Sequence, residues 1–188
     1  MKDFTDIHNH IFLGADDADE DYEEGIKLLQ RAYDDGVSTI ICTPHFRHFS
    51  GRKNLSYIKD LFEDFKGEAE KKVPGLNLHL GQELVYCTQL PRLIEDGEVL
   101  TLANSSYVLV EFSPKVEFTD MEFGIEQLLN INKKPILAHV ERYECLAYDN
   151  MESIIRLRDM GAYLQADSEA VLGNSGGMQT AFTKKLLK

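Results

Sequence analysis

The sequence has few cysteines, no long apolar run and no excess of positive charge, and each shortage closes off a class of protein. Cys42, Cys87 and Cys145 are the 3 cysteines in 188 residues. They are odd in number and scattered, which argues against a disulfide framework and for reduced thiols. No apolar stretch approaches the roughly 20 residues of a membrane-spanning helix. The first residues, MKDFTDIHNH, lack a signal-peptide core. A cytoplasmic protein without a membrane span is therefore expected. The formal net charge is −12, against the positive surface that non-specific nucleic-acid binding needs. No repeat and no low-complexity linker breaks the chain. At 188 residues, 43% of them hydrophobic, one domain over residues 1–188 with a packed core is expected.

What the chain does contain is an alternation of strand and helix patterns. FTDIH reads as a short strand. DYEEGIKLLQRAYDDG carries Ile26, Leu29, Ala32 and Tyr33 at helical spacing, with Gly36 as a stop. VSTIIC (37–42) reads as a buried strand. LSYIKDLFEDFKGEAEK (55–71) puts Ile58, Leu61, Phe62 and Phe65 on one helical face. LNLHLGQEL (76–84) alternates as a strand, and EVLTLANSSYVLVEF (98–112) reads as two extended segments around a polar turn. DMEFGIEQLLNIN is a helix, KPILAHV a strand, NMESIIRLRDMG a helix and AYLQAD a strand, and MQTAFTKKLLK begins another helix. Such alternation with short turns predicts an α/β fold with a mostly parallel sheet, doubly wound or closed into a barrel.

In such folds functional groups gather where strands end and loops begin. The first strand runs into His8 and His10, the second into TPH at His45, the third into GQE at Glu83. YVLVEF ends near Glu111 and PILAH at His139. A lone strand-end histidine is ordinarily a hydrogen-bonded loop residue, and a lone glutamate is ordinarily solvated. Five strand ends in succession carrying His or Glu form a pattern that those readings do not explain. Histidine and carboxylate are the donors of mixed N/O metal sites for zinc, manganese or iron. Glu111 lies in an apolar strand, where an unpaired carboxylate would be costly. His79, inside a strand, and His48, in a loop, fit a structural or solvated role. The acidic run ADDADEDYEE (15–24) suits a helix N-terminus, with Asp17 set apart below. Arg142, three residues after His139, has a planar fork suited to phosphate or carboxylate.

Taken together, DIHNH, DD at 16–17, TPH, GQE, EF, AHVERY and LQADS resemble the PHP (polymerase and histidinol phosphatase) family. The likeness is closest to its bacterial manganese-dependent tyrosine-protein phosphatases of capsule and exopolysaccharide loci. The resemblance implies a distorted, TIM-like (β/α)7 barrel with up to three metal positions, filled by manganese or alternatively by iron or zinc. It implies His8, His10 and Glu83 at one ion, and Glu83 shared with Glu111 and His139 at a second. Asp17 and His45 are implied at a third, with Arg142 facing the phosphate. The implied reaction is attack by metal-bound hydroxide on phosphotyrosine in a protein, with an autophosphorylated bacterial tyrosine kinase as partner. The cysteine-phosphatase signature C-x5-R is absent, in agreement with a mechanism that needs no phosphocysteine.

One departure from the family pattern stands out. Members continue to a further strand that ends in Asp-x-His, and nothing after LQADS supplies that motif. Asp167 stands one strand too early for it. The expectation is a barrel short of its last strand–helix unit, with the first and third metal positions each short of one ligand. An open barrel edge invites pairing with another chain, so the expectation is a homo-oligomer, or a sequence shorter than the natural protein. Two further readings remain open at this point. One is a PHP domain with a partial metal cluster and little or no catalysis. The other is a phosphatase for small molecules such as histidinol phosphate, or a polymerase-associated phosphoesterase.

Overall fold

The computed structural model of the chain describes residues 4–12, 22–46, 55–147 and 151–187. They form an α/β fold with parallel strand pairing, in two compact units. The first comprises Met1–Leu84 and Leu93–Ser105, the second Val85–Arg92 and Ser106–Lys188.

In the first unit a three-stranded parallel sheet runs in the order β1 (Phe4–Asp6), β2 (Val37–Cys42), β4 (Asn77–Leu80). VSTIIC is a β-branched run and takes the central place, with Ile40 and Cys42 buried and the remaining residues partly covered. Its register sets Thr39 beside Thr5 and Ile40 beside Leu78. Helices α1 (Tyr22–Asp34) and α2 (Leu55–Lys72) supply the apolar cover. Ile58, Phe62, Phe65 and Ala69 are the buried stripe of α2, spaced as one helical face requires. Phe12 meets Phe62 and Phe65 at ring-centroid distances of 5.6 and 5.3 Å. Gly36, with φ of 109°, ends α1 in the left-handed turn that glycine adopts without strain.

A second parallel pair joins β3 (His45–Phe46) to β5 (Glu83–Val85), with His45 opposite Glu83. This corrects two expectations. LNLHLGQEL is two strands rather than one, and His45 and Glu83 begin short strands rather than end long ones. The break has a physical cause: Gly81 donates its N–H to the Cys42 carbonyl at 2.8 Å, and Glu83 donates to the Pro44 carbonyl at 3.1 Å. The chain thus steps from one partner to the next. The first extended segment expected in 98–112 is also absent. Leu102–Asn104 is a 3-10 turn with Ala103 and Asn104 at positive φ. The Leu100 N–H is taken by the Gln82 side chain at 2.8 Å instead of by a sheet ladder.

In the second unit β6 (Tyr107–Glu111), β7 (Lys134–Leu137) and β8 (Tyr163–Leu164) pair in parallel, with Val110 beside Leu137 and Leu137 beside Leu164. Helix α4 (Phe118–Asn130) buries Met121, Ile125 and Leu128, and α5 (Glu152–Met160) buries Ile154 and Leu157. The remaining helices are α3 (Leu90–Glu95), α6 (Ser168–Leu172) and α7 (Gly177–Leu186). No helix among the described residues is long and apolar enough to cross a membrane.

Candidate metal centre

Four of the expected ligands meet in the first unit. Glu83 is 1% exposed, and its Oε2 lies 3.2 Å from His8 Nε2, 3.4 Å from His10 Nε2 and 3.0 Å from His45 Nδ1. The His10 and His45 rings stack at 4.4 Å, and the His8 ring stands edge-on to His10 at 5.6 Å. His8 is buried beside Glu83, and His10 lies at the exposed rim.

Local hydrogen bonds explain why the HNH segment takes this shape. His8 donates its N–H to the Asp6 carboxylate at 3.0 Å, which draws the chain off the strand. Asn9, between the two histidines, is fastened to Thr43. Its N–H donates to Thr43 Oγ1 at 3.0 Å, and that hydroxyl donates back to the Asn9 carbonyl at 2.9 Å. The Asn9 side-chain amide donates to the Ile41 carbonyl at 3.1 Å. Gly25 of α1 lets the following residue come close: a Cβ there would stand 2.9 Å from the Ile11 carbonyl oxygen. HNH and TPH are therefore one braced structure. Sequence reasoning passed over Asp6, Asn9 and Thr43, and only the presence of a polar residue between two histidines hinted at them.

The donors fit a divalent ion. Ligands at about 2.1 Å from a metal lie about 3.0 Å apart along an octahedral edge and about 3.4 Å apart along a tetrahedral one. The three nitrogen-to-oxygen distances fall in that interval, and the donor atoms of His8, His10 and Glu83 all lie within 4.8 Å of one another. A carboxylate buried to this degree also needs positive charge beside it. Asp17, expected with His45, lies outside the described residues.

In the second unit the β6–β7 register delivers the next pair. Ala138 donates its N–H to the Val110 carbonyl at 3.0 Å, so Glu111 and His139 leave their strands as neighbours. His139 Nε2 stands 3.5 Å from Glu111 Oε2, with both side chains largely buried. His139 occupies the left-handed region, φ 37° and ψ 56°, rare for a residue with a Cβ and concentrated at functional positions. The bend starts the turn Val140–Arg142 and ends with Tyr143, whose hydroxyl accepts the Phe112 N–H at 3.1 Å.

Arg142 is half exposed, and its Nη2 pairs with the Asp167 carboxylate. Asp167 donates its own N–H to Glu141 Oε1 at 3.3 Å. Burial is the main force raising the Glu141 carboxyl above its ordinary value, and the nearby Asp167 charge adds to it. The sequence singled out Arg142 but not these two supports. Cys42 is fully buried, and burial pushes its thiol up to about 12. A thiolate nucleophile there is excluded near neutral pH. His79 is exposed on β4, as a solvated residue should be.

Comparison with known proteins agrees with this chemistry. The family model for capsular polysaccharide synthesis, CpsB/CapC, matches residues 4–188. The chain is 31% identical over 167 residues to the tyrosine-protein phosphatase CpsB of Streptococcus agalactiae, covering 89% of this chain and 68% of that protein. It is 26% identical over 187 residues to the tyrosine-protein phosphatase YwqE of Bacillus subtilis, covering 97% and 72%. One solved structure matches with a TM-score of 0.85 at 25% identity, covering 98% of this chain and 74% of that one. It comes from work on YwqE from Bacillus subtilis and CpsB from Streptococcus pneumoniae, described as unique metal-dependent tyrosine phosphatases. The capsule-type resemblance carried by DIHNH, TPH, GQE and AHVERY is borne out, and this chain belongs to the CpsB/CapC family of capsular polysaccharide synthesis.

Proposed function

We propose that the chain is a metal-dependent phosphatase that hydrolyses phosphotyrosine in proteins. The observation that carries the reading is the convergence of three imidazole nitrogens on one buried Glu83 oxygen, in a chain whose relatives are tyrosine-protein phosphatases. The proposed ligands are His8, His10, His45 and Glu83 in the first unit and Glu111 and His139 in the second. Asp17 completes the proposed set.

Manganese, or iron or zinc in its place, supplies Lewis acidity toward a phosphoryl oxygen and acidifies water. The chain's own residues do the rest. Glu83 offsets the charge of the ion and gathers three imidazoles. Asp6, Asn9 and Thr43 fix the directions of His8 and His10, as supports behind metal ligands do. Arg142 presents a planar fork to the phosphoryl oxygens, and Asp167 holds that fork in place. A phosphorylated tyrosine kinase in the cytoplasm is the proposed partner. The seven-fold strand–helix barrel of the PHP fold is the proposed architecture, supported by the parallel pairing in each unit.

The test is phosphate release from a phosphotyrosyl peptide with manganese, iron or zinc added in turn. Wild type should release phosphate, and Glu83→Gln should lose at least about 100-fold, the upper range for disturbed metal sites. Wild-type protein that stays inactive with all three metals would refute the reading.

A further inference from the structure

The second unit contains a cleft that the metal ligands do not use. It has a volume of about 350 Å³ and lies where helix α7 faces the turn after His139. That places it at the small end of the roughly 300–1,000 Å³ range of ligand pockets, right for one side chain rather than a large cofactor. Its walls are apolar and soft. Tyr143 and Phe182, both buried, contribute aromatic surface, and Met151 and Met178 contribute thioethers. Met178 is 76% exposed and lines the cleft, so its thioether is within reach of a ligand from solvent. Methionine sulfur and aromatic edges are good partners for a planar ring. Charged residues of both signs complete the lining: Arg142 and Lys185, with the carboxylates Glu141 and Glu144. Arg142, whose guanidinium pairs with Asp167, and Lys185 can each face an anion or lie over a ring. Arg142 is also the residue proposed to hold the phosphoryl group, and the cleft begins at its side chain.

We infer that this cleft seats the aromatic ring of an aryl phosphate, with the phosphoryl group at Arg142 and the ring against Met178 and Phe182. The inference rests on the phosphatase reading and adds to it. Met178, Phe182 and Lys185 become the residues that favour aryl over alkyl phosphate esters. They act on binding and take no part in bond breaking.

The experiment uses protein labelled with 13C at its methionine methyls, loaded with diamagnetic zinc and titrated with phenylphosphonate, which cannot be hydrolysed. The methyls of Met151 and Met178 should move under the ring current, and Met121, fully buried on α4, should stay still. Inorganic phosphate should leave all of them in place. In parallel, Met178→Ser changes an exposed side chain, adds no charge beside the phosphoryl site and leaves the fold intact. It should raise KM for a phosphotyrosyl peptide about fivefold at unchanged kcat, the scale of one lost apolar contact. Hydrolysis of a small alkyl phosphate should not change. Phosphate release by wild type with no methyl response, or with an equal response to inorganic phosphate, overturns the inference and leaves the phosphatase reading standing. A methyl response without phosphate release under any metal overturns the phosphatase reading and keeps the cleft as a binding site.

Discussion

Replacing Thr43 by valine removes one hydroxyl and almost no volume. In the folded chain that hydroxyl accepts the Asn9 N–H at 3.0 Å and donates to the Asn9 carbonyl at 2.9 Å. Thr43 is 0% exposed, so water does not reach its side chain to replace what valine takes away. The carbonyl keeps one partner, the Thr43 N–H at 3.3 Å, while the Asn9 N–H loses its partner. An unsatisfied buried donor costs about 1–3 kcal/mol, toward the lower end here because Asn9 is only partly buried, and the second, net hydrogen bond contributes about 1. Thr43→Val should therefore destabilise the protein by about 2–3 kcal/mol, measured by urea unfolding. A chain of this size then melts about 4–12 °C lower. The more telling effect is on metal. Asn9 keeps its bonds to the Thr43 N–H and the Ile41 carbonyl but loses the two hydroxyl bonds that fix the backbone between His8 and His10, so metal affinity should fall about 10-fold, the lower end for disturbed supports of metal sites. Competition with a chelator of known affinity reads this directly. Thr43→Ser keeps the hydroxyl and sheds one methyl group, worth about 0.8 kcal/mol, and should bind metal as wild type does. Unchanged affinity in the valine variant, or equal losses in valine and serine variants, would refute the claim that this brace positions the ligands.

Gly25→Ala should destabilise the protein although alanine is the better helix former by about 1 kcal/mol, because its Cβ would press on the Ile11 carbonyl at 2.9 Å; thermal melting that rises instead would show that the chain after His10 shifts freely. Asp167→Asn removes the partner of a half-exposed arginine, so stability should change by less than about 1 kcal/mol. The same variant should raise KM for a phosphotyrosyl peptide about fivefold, the equivalent of ~1 kcal/mol, and equal losses in KM and stability would contradict a positioning role. Burial raises the Glu141 carboxyl, so the native state keeps that proton to a higher pH than the unfolded chain does. Its contribution to stability is present below the ordinary carboxylate value and is lost as pH rises through the raised one. Unfolding of Glu141→Gln and wild type across that window should converge at low pH and separate as pH rises, with wild type the less stable.

Much of this was legible in the sequence because it is local. VSTIIC reads as a central strand from its β-branched run, and α2 shows its buried stripe at Ile58, Phe62 and Phe65 without any knowledge of the sheet. The candidate ligands other than Asp17 were legible as a set because each lies just past a recognisable strand. What escaped is non-local. Asn9 and Thr43 are separated by 34 residues, and Arg142 and Asp167 by 25. No periodicity announces either contact. The break at Gly81 escaped for the same reason, since the alternation of LNLHLGQEL continues through it while its hydrogen-bond partners change. The turn at Leu102–Asn104 depends on the Gln82 side chain reaching back to Leu100.

The left-handed bend at His139 narrows what that position can become. Glycine would relieve the backbone and bring no donor atom. Cysteine or glutamate would bring a donor but carry the left-handed penalty of roughly 1–2 kcal/mol. Asparagine, aspartate and histidine are the types that tolerate the conformation best, and of these only histidine and aspartate are common metal ligands. A single-residue swap can thus move this position toward harder, oxygen-loving ions by way of aspartate. It cannot easily move it toward the thiolate chemistry that selects softer ones. With His139 as the proposed ligand, the backbone at one residue sets the direction in which the metal preference of this unit can drift, and a designer seeking the other direction would have to rebuild the turn before changing that residue.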